Sequence, residues 1–557
     1  MMGSIVRLVW PETGLIAFAS TFNGKRYATS WIECRGETSP GVYRFVSQFE
    51  LDPRVLGQGG SIIHSISTFE VDPGLRPLRY VSYARGAVLQ LVWQGDSVVV
   101  TFPDGTQQTV PAGGAAYVTE AHMAGLDALL FSALFHSGQL EQPARATFFF
   151  VNQLGALSCQ FSVASDLASS PGEHWYRTSF QDEILLDREG RLLCNRNPLQ
   201  GIEIRRLATA PAKPEVTEAE RNYRPAVYTP PPAATFRAVD VTIPGPVIPI
   251  GATLTIPRAA DASQEAAKRW PAVLFISGSG CHDRHGIAGE LDFGTHEIVD
   301  ALSESGFVGL RYDTRGAGTT GLGADYLEAG LDAIIADALA AYRFLAERPE
   351  VDNNRIFLIG HSQGGTVAMA LATEHKVQVR GIALLATVAR SLEELSFDQL
   401  ESHGRHAGLS DAQIAQQKAL LQESLALIRA GKEFKAGEVP DIHLTFQRNV
   451  PWFREWMRRR AESMVALLTC PIWIANGEKD FQVSADKDAK RLADAARQAG
   501  VATELRLYPL LDHAFKAIAG ESTLASYYDP QRRVDPTFLA DLRSWLIQNS
   551  QDRASPA

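Results

Sequence analysis

No two of the five cysteines in this 557-residue chain (Cys34, Cys159, Cys194, Cys281 and Cys470) have the CxxC spacing that zinc sites and redox motifs use. They read as isolated buried thiols. Long hydrophobic runs are also missing, since no window holds the roughly 18 to 20 uncharged apolar residues of a membrane-spanning helix. Positive charge is not in excess either. Lys and Arg number 53 against 63 Asp and Glu, and the net charge of -10 offers no reason to bind phosphate backbones. Nucleic acid is therefore not an expected partner. In the opening MMGSIVRLVWPETG, Pro11, Glu12 and Thr13 interrupt the apolar run before a signal-peptide core can form, which places the protein in the cytoplasm. No repeat of fixed length is present.

What is present is an ordinary globular composition, 45% hydrophobic and 21% charged, in a chain longer than one core usually organises. Two domains are expected. Residues 1–207 are rich in period-2 runs such as GVYRFVSQFE, SIIHSISTFE, LRYVSYAR and SVVVTFPDGTQQTV, separated by turn residues. That pattern predicts a mostly antiparallel sheet, with one helix at Leu126 to His136 (LDALLFSALFH). Residues 208–234 are proline-dense and lose apolar periodicity, as an extended linker does. From 235 to 550, short continuous apolar strands (AVLFIS, VGLRYD, IFLIG, IALLAT, IWIAN) alternate with helix-length segments. This is the pattern of a mostly parallel sheet covered on both faces. A long helical stretch, about 391–460, interrupts it and reads as a lid insertion.

The chemistry gathers in this second part. Gly360-His361-Ser362-Gln363-Gly364 matches GxSxG, with the strand IFLIG before it and the helix TVAMALATEH after it. A sharp strand-to-helix turn would lift the Ser362 hydroxyl above the sheet edge. A serine hydroxyl needs a base, and the base needs a carboxylate to hold it in the right tautomer. In the order expected for such a turn, Asp480 follows the strand PIWIA and His513 follows ELRLYP. Glu478 and Asp512 are the weaker acid candidates, since Glu478 precedes the expected position and Asp512 adjoins the base. The N–H of Gln363 and that of Ser279, in the loop Ser277-Gly278-Ser279-Gly280, are the expected oxyanion donors. His282 and His285 flank Asp283 but lack a further ligand at metal spacing, so no metal is expected. Asp313 and Arg315 are expected to form a buried ion pair bracing their loop. Trp452, Phe453, Trp456 and Met457 read either as lid core or as the lining of a substrate pocket.

From about Phe236 to Trp545 the chain resembles an α/β-hydrolase, and within that superfamily the carboxylesterases related to dienelactone hydrolase. The resemblance rests on five motifs in order: GSGxxDRxG at Gly278 to Gly286, RYDxRGxG at Arg311 to Gly318, GHSxGG at Gly360 to Gly365, GxxDxxV at Gly477 to Val483, and His513. Relatives commonly carry His where this chain has Ser277. The resemblance implies the triad Ser362, Asp480 and His513 and the donors Ser279 and Gln363. It does not reach residues 1–207.

The expected activity is cleavage of a small carboxylic ester through an acyl-enzyme, with no cofactor. The same machinery would serve a thioester, a lactone, an amide or acyl transfer. A reading from another class makes the chain a carrier or binding protein acting through its N-terminal sheet. The role of that sheet, including dimerisation, is left open by the sequence.

Overall fold

Eight strands build the sheet that carries Ser362: β1 (Phe236–Ile243), β2 (Ile250–Pro257), β3 (Trp270–Ile276), β4 (Val308–Tyr312), β5 (Val351–His361), β6 (Gly381–Leu385), β7 (Ile472–Gly477) and β8 (Thr503–Tyr508). Their spatial order is β1-β2-β4-β3-β5-β6-β7-β8, antiparallel at β1/β2 and β2/β4 and parallel from β4 onward. This is the α/β-hydrolase architecture. The computed structural model describes residues 14–84, 87–103, 105–120, 124–140, 144–214, 228–259, 268–326 and 328–551. The opening run Met1 to Thr13 and the central part of the expected linker, 215–227, lie outside the described residues.

The continuous apolar strands are explained by two cores, one on each face. Along β3, Ala272, Leu274 and Ile276 enter the core shared with helices Leu331–Ala346 and Gln363–Thr373. The alternate residues Val273 and Phe275 enter the other, with Thr295–Glu304 and Pro536–Ser550. Period-2 alternation survives, but both faces are dry, so every position must be apolar.

The chain divides into two compact units, one of Pro225–Ser402 with Asn449–Ala557, the other of Met1–Arg224 with His403–Arg448. In the latter, fifteen strands form one sheet. Neighbours follow chain order back from Gln107–Pro111 to Leu15–Phe22, continue at Ile202–Arg206 and run down to Tyr117–Thr119. Its pairings are antiparallel except that of Tyr117–Thr119 with Ala144–Phe150. Helix Ala124–His136 is buried on all sides from Ala124 to Leu134, which accounts for a stretch apolar around its whole circumference.

The middle of the inserted stretch belongs to this N-terminal unit. Arg145 pairs with Asp441 at 2.8 Å, Ser179 Oγ donates to Asp441 at 2.7 Å, and Gln417 donates to the carbonyl of Leu199 at 3.1 Å. Of the cysteines, Cys159 and Cys194 are buried, Cys34 and Cys470 half-buried, and Cys281 exposed, so uniform burial does not hold. Cys281 sits in the glycine-flanked loop after β3, where no core forms. Among the described residues, no helix is long and apolar enough to cross a membrane.

Candidate active site

Ser362 sits between β5 and helix Gln363–Thr373 with φ 54° and ψ −121°, a conformation that costs a non-glycine residue about 1–3 kcal/mol. The surroundings hold it there. Its N–H donates to the carbonyl of Leu385 at 2.8 Å, and its carbonyl accepts from Gly365 N–H at 3.0 Å. A Cβ on Gly364 would fall 2.1 Å from the carbonyl oxygen of Ile276, and one on Gly360 would fall 2.4 Å from that of Gly364. The glycines are thus required by close approach of backbone to backbone. The helix starting at Gln363 directs N–H groups and positive dipole character toward the serine.

Asp480, after β7, and His513, after β8, meet at 2.7 Å between Oδ2 and Nδ1. Both are buried, 8% and 4% exposed. Asp480 Oδ1 accepts the N–H groups of Gln482 at 2.8 Å and Val483 at 3.0 Å, which fixes the carboxylate and leaves its other oxygen for the imidazole. Burial pushes the His513 pKa down, yet the charge and hydrogen bond of Asp480 outweigh it, and the pKa lies above the ordinary histidine value. With Nδ1–H donated to the carboxylate, Nε2 is the nitrogen left to act as a base. His513 and Ser362 line one small cavity of about 50 Å³. Glu478 is exposed, and Asp512 is occupied by Arg532 and by the N–H groups of Ala514 and Lys516.

The loop after β3 closes against the serine. A Cβ on Gly278 would lie 3.1 Å from Ser362 Cβ and 3.4 Å from His361 Nδ1. Ser279 lines the cavity, and Gln363 follows the serine directly. The Ser279 carbonyl accepts from His282 Nε2 at 2.7 Å, which puts the imidazole proton on that nitrogen and ties the loop to the chain that follows it. His361 also lines this cavity, and its Nε2 donates to the carbonyl of His513 at 2.8 Å. Burial, helped by the nearby His513 and His282, lowers its pKa to about 3, so it stays neutral.

The histidines flanking Asp283 are not brought together. His282 holds the carbonyl of Ser279 and meets the edge of Phe293, whereas His285 stacks on Tyr228 with centroids 4.2 Å apart. Asp283 accepts the N–H groups of His285 and Ile287. The expected pair of Asp313 with Arg315 is not formed. Asp313 receives Arg284 through Nε at 3.0 Å and Nη2 at 2.7 Å, and Arg315 reaches Asp337 at 2.7 Å and Asp325 at 2.7 Å. The two residues leave the end of β4 in different directions, so each finds a partner from elsewhere in the chain.

Trp456 is a core residue, with Trp452 and Phe453 packed against the same core. Met457 ends their helix, half-buried. None of the four is among the described residues lining the Ser362 cavity. That lining includes Phe293, Thr295 and Gln482, which sequence reasoning did not single out. Gln482 lies inside the GxxDxxV spacing, the one signal that could have found it. Its amide donates to Tyr527 Oη at 2.9 Å.

Residues 284–516 match the family model described as Serine aminopeptidase, S33. Solved structures that resemble the chain include Est1E from Butyrivibrio proteoclasticus (16% identity, 56% of this chain and 98% of that one, TM-score 0.35). An esterase of Pyrococcus furiosus aligns at 15% identity over 59% of this chain and 98% of that one, with TM-score 0.37. The hyperthermophilic esterase of the archaeon Pyrobaculum calidifontis aligns at 18% identity over 56% of this chain and 85% of that one, with TM-score 0.35. No curated protein matches the chain.

Proposed function

We propose that the chain is a serine hydrolase that cleaves a small carboxylic ester through an acyl-enzyme. The observation that carries this reading is the convergence of Ser362 and a carboxylate-held His513 on one cavity. Ser362 Oγ attacks the carbonyl carbon while His513 Nε2 takes its proton. Asp480 keeps Nδ1 protonated and stabilises the imidazolium that forms. The N–H groups of Ser279 and Gln363 receive the oxyanion, a contribution of about 10²–10³ in rate per donor. His513 returns the proton to the departing alcohol, then takes a proton from the attacking water and delivers it to Ser362 Oγ as the acyl–oxygen bond breaks and the acid leaves.

The aminopeptidase description of the matched model makes an amide with a free amine the alternative substrate. Recognition of an ammonium group calls for a carboxylate in the pocket. Among the described residues lining the cavity none is acidic, and Asp480 is committed to His513. A cavity of about 50 Å³ suits a short acyl group. Both points support a neutral ester.

The test is turnover of 4-nitrophenyl acetate, butyrate and octanoate by the full chain and by Ser362→Ala, with an alanine 4-nitroanilide alongside. The expected result is turnover that falls with acyl length and is lost in Ser362→Ala. Faster anilide than ester turnover would transfer the reading to an aminopeptidase, and equal turnover by Ser362→Ala would remove the nucleophile.

A further inference from the structure

The N-terminal unit contains a second and larger cavity, about 280 Å³, lined entirely from within that unit. Phe131 of the central helix and Phe148, Phe161 and Ile204 of the sheet give it apolar walls, and Leu420 and Ile442 of the inserted stretch contribute to its lining. Its size is near the lower end of small-molecule sites and far above what one water fills.

Its electrostatics differ from the rest of the chain. Elsewhere the buried carboxylates among the described residues have an arginine or a histidine: Asp313 has Arg284, Asp488 has Arg390, Asp512 has Arg532, Asp300 has Arg311, Asp441 has Arg145 and Asp480 has His513. Around this cavity stand Glu120, Asp127 and Asp182, and no Lys, Arg or His is among the described lining residues. Their hydrogen-bond partners are neutral. Asp127 accepts from Thr119 Oγ1 at 2.8 Å and Asn195 Nδ2 at 3.0 Å, and Asp182 accepts from Asn197 Nδ2 at 2.8 Å and Thr178 Oγ1 at 3.3 Å. Glu120 accepts from Tyr80 Oη. Burial, with the charge of Asp182 adding to it, raises the Asp127 pKa to about 6, and burial raises Asp182 to about 6. A buried charge is ordinarily paired, so the fold leaves room here for a cation it does not itself supply.

We propose that this cavity binds an organic ammonium ion with an apolar body, its charged nitrogen at Asp127 and Asp182 and its body against the phenylalanines. The apolar walls suit the body and the carboxylates suit the ammonium head, so the two parts of the lining select the same ligand. A fatty-acid anion of the same length would meet like charge. This separates the site from the Ser362 cavity, where no acidic side chain is among the described lining residues.

The probes are n-octylammonium, 1-octanol and octanoate, titrated calorimetrically into the full chain, into Asp127→Asn and into Leu420→Trp. The ammonium ion should bind at least about tenfold tighter than the alcohol, and octanoate should give no binding. Asp127→Asn should weaken the ammonium ion at least about tenfold and leave the alcohol unchanged, whereas Leu420→Trp, which fills the cavity, should weaken both. Should Asp127→Asn fail to fold, the filling variant and the three-probe ranking decide alone. Binding of octanoate or octanol as tight as that of the ammonium ion overturns the proposal. So does ammonium binding that survives both substitutions, or no binding of the ammonium ion.

Discussion

His513 Nδ1 and Asp480 Oδ2 stand 2.7 Å apart, both side chains shut off from solvent. Removing the charge while keeping the shape, as in Asp480→Asn, frees the imidazole to adopt the wrong tautomer. Ester turnover is expected to fall about 10⁴-fold with the fold intact. Steady-state kinetics with a circular dichroism control checks this.

The same contact sets a pH dependence. Asp480 holds the His513 pKa above the ordinary value of 6.5, and only the neutral imidazole takes the serine proton. The value of kcat/KM should therefore rise with pH through an inflection above 6.5. In Asp480→Asn the residual activity should show that inflection moved downward, because burial is then offset only by the weaker influence of Asp512. A pH profile of both proteins measures it.

Gly278 tests the loop that faces the serine. In Gly278→Ala the new Cβ meets Ser362 Cβ at 3.1 Å, so the loop must retreat by a few tenths of an ångström. Since catalytic geometry tolerates little displacement, kcat should drop by about 10–10² while the melting temperature barely moves. Kinetics and a thermal melt together distinguish this from unfolding.

Arg284 and Asp313 are both buried, and the arginine also donates to the carbonyl of Ala252 at 2.9 Å. Arg284→Met leaves Asp313 without a counter-charge and should destabilise the chain by about 3–5 kcal/mol. Adding Asp313→Asn should recover part of that loss. Denaturant titration of the single and double variants measures the difference.

In the N-terminal unit, the Asp127 pKa of about 6 lies above its ordinary 3.8. A carboxyl raised on folding contributes stability that is fully present below 3.8 and is lost as pH rises through about 6. Asp127→Asn carries no such loss. Measured against the parent, its stability should therefore improve from about pH 4 to about pH 7.5, by up to about 3 kcal/mol. Denaturation midpoints at the two pH values provide the comparison, with Asp182 and Glu120 present in both proteins.

Features encoded in short spacings were legible in the sequence. The turn around Ser362 announces itself within five residues, and Asp480 and His513 each follow an apolar strand, so chain order alone could nominate them. The alternating strands from Val42 to Val71 and the helix at Ala124–His136 were readable for the same reason. Strand Lys25–Ser39 was not, because its charged and polar ends and Gly36 break the alternation, and it is defined by pairing with Leu15–Phe22 and Val42–Leu51. Long-range partners stayed hidden as well. Nothing near RYDTRG indicates that Asp313 takes Arg284 and leaves Arg315 to Asp337, nor does DAQIAQQKALLQ indicate that its helix packs with a sheet some two hundred residues earlier. Trp452 and Phe453 show the limit of composition, since an aromatic cluster looks alike whether it lines a pocket or packs on a core.

Activation of Ser362 by His513 is measured by incubating the full chain with a fluorophosphonate and mapping the adduct by peptide mass spectrometry. The expected result is a single adduct on the peptide containing Ser362, formed quickly in the parent, much more slowly in His513→Ala and not at all in Ser362→Ala. An unlabelled parent chain, or labelling at the same rate in His513→Ala, would contradict it.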